Sequence, residues 1–75
     1  MWITKENCAS INLNQVDYFN KTLYEGVKGT QVFQYGIDFT FNHGNICYWF
    51  DTEEERDEYY DWLSIIAGMN RFIKL

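Results

Sequence analysis

From Phe33 onward the apolar residues Phe33, Tyr35, Ile37, Phe39 and Phe41 alternate with Gln34, Gly36, Asp38, Thr40 and Asn42. Side chains of a strand point to opposite faces in turn, so this pattern predicts a strand with one buried face within a hairpin running from Gln31 to Asp51. Asn42-His43-Gly44-Asn45 follows. With His43 and Gly44 as the two loop residues, Gly44 supplies the positive φ of a primed hairpin turn and Asn42 faces Asn45. Counting outward sets Phe41 opposite Ile46, Phe39 opposite Tyr48 and Ile37 opposite Phe50, every pair apolar on both sides. A one-residue slip would mix the two faces in every pair, which disfavours it. Cys47 and Trp49 then fall on the other face, opposite Thr40 and Asp38, and Val32 shares that face. Only another molecule or the segment from Val16 to Tyr24 is at hand to cover it.

Ahead of this hairpin, Trp2-Ile3-Thr4 and the stretch from Ala9 to Leu13 read as two short strands separated by a polar turn at Glu6-Asn7. From Gln15 to Glu25 the pattern fits two periods. Val16, Phe19, Leu23 and Val27 suit a helix, while Val16, Tyr18 and Tyr24 suit one strand face and Phe19 and Leu23 the other. The abundance of Tyr, Phe, Thr and Val favours the strand. Glu25 to Thr30, with two glycines, is the connection into the hairpin.

Behind the hairpin, Thr52 is a natural N-cap with Glu55 three residues on, and acidic residues occupy the first turn, where the helix dipole favours them. At about 100° per residue Tyr59, Trp62, Leu63, Ile66 and Ala67 gather on one side, predicting an amphipathic helix laid on the apolar hairpin face. Gly68 is the expected stop. Met69 to Leu75 reads as either a last strand or an irregular arm. The fold class expected is α+β: one domain over residues 1–75, a small antiparallel sheet of about four to five strands with one C-terminal amphipathic helix on one face.

Composition changes this picture in one respect. A 75-residue chain buries only about 60% of its unfolded surface, but 15 aromatic residues at ~150–250 Å² each make a thin core feasible without metal or disulfide. The start of the chain has no charged-then-apolar signal layout and no apolar run approaches a membrane span, so the expectation is a cytoplasmic protein, without membrane contact, whose Cys8 and Cys47 are free thiols.

Charge matters more. Asp51 to Asp61 holds seven acids against the single base Arg56, a local charge of −6 in a chain whose net charge is −5. That field repels phosphates, which argues against direct nucleic-acid binding. Within it Glu53, Glu54, Asp57, Glu58 and Asp61 form an arc opposite the apolar stripe. Glu53 with Asp57, Glu54 with Glu58, and Asp57 with Asp61 are like-charged i,i+4 pairs, each costing a few tenths of a kcal/mol. Helix stability alone would place lysine or arginine there. The arc therefore reads either as a solvated face that keeps the protein soluble or as a surface kept for a basic partner, in the manner of a nucleic-acid mimic.

The residues Trp2-Ile3, Ile11-Asn12-Leu13-Asn14-Gln15-Val16 and Phe50-Asp51-Thr52-Glu53-Glu54-Glu55-Arg56-Asp57 resemble a type of short protein found in bacteria and their phages. This resemblance implies a small sheet-plus-helix fold with no activity attached. The segment from Cys47 to Leu63 also looks like the close of a pleckstrin-homology-like domain, but the chain is too short for that barrel and lacks its basic loop.

The chemistry-bearing residues are few. His43, the one histidine, is explained by the turn, no serine or cysteine is set to use it as a base, and neither cysteine has metal-ligand spacing. No enzyme, cofactor or metal is expected. Carboxylates along one helix face cannot wrap a cation without ligands from elsewhere. The leading expectation is a small acidic protein-binding module, a phage- or mobile-element inhibitor that occupies a basic, nucleic-acid-binding site on a larger protein. The carriers would be Glu53, Glu54, Asp57, Glu58 and Asp61, with Trp49 as an apolar anchor. The alternative is a protein that homodimerises through the Trp49 face.

Overall fold

The computed structural model describes residues 1–26 and 33–74, and side chains through Gly68. The expected connection into the hairpin, Val32, and any side-chain docking of residues 69–75 lie outside the described residues. Among the described residues, two antiparallel sheets and one α-helix make up the fold, which is α+β. Strands β1 (Trp2–Ile3) and β2 (Ile11–Asn12) pair with each other, Trp2 opposite Asn12 and Ile3 opposite Ile11. Strands β3 (Tyr18–Glu25), β4 (Phe33–Phe41) and β5 (Gly44–Phe50) form the larger sheet in that order, and helix α1 spans Glu53–Lys74.

The ambiguous segment resolves as strand. Leu13–Gln15 makes one 3-10 turn, in which the Asn14 amide donates to Asn12 Oδ1, and β3 then pairs along β4 from Tyr18–Thr40 to Glu25–Phe33. The second expected strand is therefore cut short at Asn12. Because β3 lies beside β4, it extends the sheet at its edge and does not roof the Trp49 face.

The central hairpin keeps the expected faces but not the expected register. Phe39 pairs with Ile46, Ile37 with Tyr48, and Phe41 with Gly44, two residues away from the count that starts at a His43-Gly44 loop. The turn residues are Asn42 and His43, and Gly44 carries its positive φ, 147°, as the first residue of β5. A shift of two preserves the parity that puts Phe39, Ile37, Tyr48 and Phe50 on one face. What the observed register adds is Trp49 opposite Gly36, and Cys47, not Trp49, opposite Asp38. A Cβ on Gly36 would stand 2.8 Å from the Trp49 ring, 2.9 Å from Cys47 Sγ and 2.9 Å from Thr22 Cγ2. The missing side chain is what lets the indole lie across the sheet. Gly36→Ala is accordingly expected to destabilise the fold by about 1–3 kcal/mol through overpacking. Its melting temperature should fall and the Trp49 emission should change, whereas an unaltered melt would show that the ring shifts freely.

Among the described residues the core consists of Ile3, Ile11, Ile37, Phe39, Tyr48, Phe50 and Leu63, drawn from both sheets and the helix. Burying each is worth about 1.5–3 kcal/mol. Aromatic contacts cross it: Phe19 to Phe39 at 5.9 Å, Phe39 to Tyr48 at 5.0 Å and Phe50 to Tyr59 at 5.4 Å between ring centres. The small β1–β2 sheet is tied on by polar groups as well. The Tyr48 hydroxyl lies 2.6 Å from the Ala9 carbonyl oxygen, to which it donates, and 3.4 Å from that of Ile3. Tyr59 donates its hydroxyl to the Thr4 carbonyl at 3.4 Å.

Thr52 caps α1, its Oγ1 accepting from the Glu55 amide at 3.2 Å, which is the near half of the expected capping box. The helix does not stop at Gly68, whose φ is not positive, but continues to Lys74, so neither the expected strand nor the arm forms beyond it.

Candidate functional site

The inward face of α1 is centred on Leu63, which is fully buried, with Tyr59, Tyr60, Ile66 and Ala67 half-buried beside it. Trp62 is a corrected expectation. One residue before Leu63, it is turned about 100° off that centre and is 42% exposed, touching Tyr59 at 5.2 Å on the flank. On the other side the stripe includes Arg56, which precedes Tyr60, Leu63 and Ala67 at helical spacings of four, seven and eleven. Arg56 is buried at 8% exposure.

Arg56 is the residue that composition alone misrepresents. Its guanidinium donates to the Thr22 carbonyl at 3.1 Å and to Asp57 Oδ1 at 3.0 Å, and lies over the Tyr35 ring at 5.4 Å. It anchors the helix to β3 and β4 through a charge that burial would otherwise penalise. Lys21 of β3 meets the same Asp57 oxygen at 3.0 Å and sits over the Tyr60 ring at 5.0 Å. Lys21 foremost, then Arg56, holds the Asp57 carboxyl below the usual carboxylate range.

The acidic arc is therefore not uniform. Asp57 is turned in to the sheet and neutralised by two cations, and Glu53 stands 3.8 Å from the Arg56 guanidinium. Glu54, Glu58 and Asp61 are exposed and make no ion pair among the described residues. At spacings of four and three they run along one line of α1, about 10 Å from first to last. Ile65, 64% exposed, lies on that same face, with Trp62 beside it.

Trp49 is placed apart from these carboxylates. The helix covers the Phe39–Tyr48 face of the sheet, whereas Trp49 lies on the reverse face, half-buried over Gly36 with Tyr24 edge-on at 6.1 Å. The structure thus does not unite Trp49 with the acidic arc. Cys47 beside it is a free thiol whose pKa is pushed up to about 11, by burial first and then by Asp38 and Cys8, so it is protonated and poorly nucleophilic at neutral pH. Cys8 is also a free thiol.

No protein-family model, curated protein or solved structure matches this chain. Among the described residues no three His, Cys, Asp or Glu side chains converge as a metal-ligand set, and no helix is long and apolar enough to cross a membrane.

What sequence reasoning missed is an open cleft of about 460 Å³ beside α1, lined by Lys5, Phe50, Glu55, Glu58, Tyr59 and Trp62. Glu55, Glu58 and Trp62 come from one helix face at i, i+3 and i+7 and were available from periodicity. Phe50 and Lys5 come from β5 and the β1–β2 connection, and no local pattern links them to the helix.

Proposed function

We propose that this chain is a non-enzymatic protein-binding module whose exposed α1 face docks on a basic surface of a larger protein, in the place a nucleic acid would take. The observation that carries this reading is the combination on that face of three carboxylates that make no ion pair among the described residues, Glu54, Glu58 and Asp61, with two large apolar side chains left in water, Trp62 and Ile65. Carboxylates steer a basic partner and set orientation, and an exposed tryptophan supplies the apolar area that gives an interface most of its energy. Asp57 drops out of the interface, since it is already paired with Lys21 and Arg56.

The test is capture by the immobilised chain and by Glu54→Lys/Asp61→Lys. Both positions are exposed, and the gain from turning like-charged helix neighbours into attractive ones offsets the loss of one acid from the first helical turn, so folding should be kept. Association of the captured protein is expected to weaken about tenfold or more, with much of the loss in the on-rate, and wild-type capture should fade as salt rises. Unchanged affinity in a variant that melts like wild type would remove this reading.

Self-association has one observation of its own. β3 is an edge strand with Tyr18, Leu23 and Tyr24 each at least 50% exposed, and Lys21, the charge that would guard the edge, is folded onto Asp57. Association that persists at high salt, with the chain itself as the captured protein, would favour it.

A further inference from the structure

We propose that the cleft between α1 and the β1–β2 connection receives an arginine side chain of the partner protein, an inference that rests on the binding role of α1 given above. The cleft is an aromatic corner with acidic walls. Tyr59 is its floor, 5.4 Å from Phe50 and 5.2 Å from Trp62 between ring centres, and Glu55 and Glu58 rise from the helix beside it. Aromatic faces and carboxylates both attract positive charge. The molecule already uses the corner in this way, for the Lys5 ammonium sits over the Phe50 ring, 4.8 Å from its centre. Lys5 is over Phe50, and at the far end Trp62 remains 42% exposed.

An arginine suits this corner better than a lysine. Its planar guanidinium stacks flat on an indole while its N–H fork reaches carboxylates, whereas an ammonium is a compact, strongly hydrated point charge. The source of the cation follows from continuity. Glu58 belongs both to the cleft and to the Glu54–Glu58–Asp61 line, so a protein that places one arginine here lies along the rest of that line without a gap.

The experiment follows the three indole N–H signals of the full chain by NMR during titration with a blocked Gly-Arg-Gly peptide and its lysine and citrulline counterparts. Arginine should shift the Trp62 indole, lysine should bind several-fold more weakly, and citrulline, which keeps the shape and loses the charge, should leave it in place. Glu58→Gln should weaken the arginine peptide by about three- to tenfold. Lys5→Ala, which removes the resident cation, should strengthen it. In variants without the Trp62 indole, binding is read from the backbone amides of Glu58 and Tyr59: Trp62→Phe keeps a ring and should retain part of the binding, whereas Trp62→Ala should abolish it while the half-exposed position leaves the fold intact.

A citrulline peptide that binds as well as arginine, a shift at Trp2 or Trp49 in place of Trp62, or an equal response to tetramethylammonium would each overturn the assignment. If the peptides fail while Glu54→Lys/Asp61→Lys still weakens partner capture, the cleft inference falls and the α1 reading stands. Peptide binding with capture untouched by that double substitution would keep the arginine site and remove the α1 reading.

Discussion

Tyr48→Ala is expected to unfold the domain at 25 °C, whereas Tyr48→Phe should leave it folded with a loosened N-terminal hairpin. Tyr48 is fully buried, packs on Phe39, Ile37 and Tyr59, and spans from the large sheet to the Ala9 carbonyl. Removing such a ring costs about 3–5 kcal/mol, a large part of the total stability of a small domain. The phenylalanine variant keeps the ring and loses the hydroxyl with its hydrogen bond to the Ala9 carbonyl, at a cost of about 0.5–1.5 kcal/mol. Amide exchange should then quicken at Ile3 and Ile11 more than at Phe39. Equal protection in the two proteins would show that the hydroxyl does not hold the small sheet.

The same residue predicts an alkaline limit. Burial first, and then Tyr59 and Cys8, push the Tyr48 phenol up to about 12 from its usual 10. A group that holds its proton more tightly when folded contributes its full stability below the unfolded value and loses it as pH rises through the folded one. Wild-type stability should fall between about pH 10 and 12, and Cys47, at about 11 against 9, adds a loss that begins one unit lower. In Tyr48→Phe the phenol contribution to this slope is absent, so its melting temperature should approach that of wild type as pH climbs. Parallel curves would rule out the phenol as the source.

The second large effect is at the helix. Leu63→Ala is expected to cost about 2–5 kcal/mol, because Leu63 is the fully buried side chain by which α1 enters the core. Trp62→Ala, one position earlier and 42% exposed, should cost well under half as much, although it removes the larger side chain. Thermal melts of the two variants decide the point. Equal losses would mean that the helix is rotated from the phase described, and would take Trp62 out of the binding face.

Much of the framework was legible along the chain. Alternation from Phe33 to Phe41 assigns Ile37, Phe39, Tyr48 and Phe50 to one face whatever the register, because a strand repeats every two residues. Thr52 with Glu55 marks the helix start from local chemistry alone, and the acids of the Asp51–Asp61 stretch are visible by composition. What local pattern cannot encode is anything that depends on a distant partner. Parity leaves shifts of two open, and the observed register is the one that lays Trp49 across the bare Gly36. The residue types of the segment before the hairpin favour a strand, but only pairing with β4 establishes it. Arg56 looks like a lone base among acids until β3 and β4 supply a carbonyl and a ring for its guanidinium, and Asp57 leaves the acidic surface for the same reason. The cleft at Trp62 likewise needs Phe50 and Lys5 brought from two other elements. Periodicity records which way a side chain points, whereas burial and charge pairing are properties of what stands opposite, and that is decided only when the elements pack.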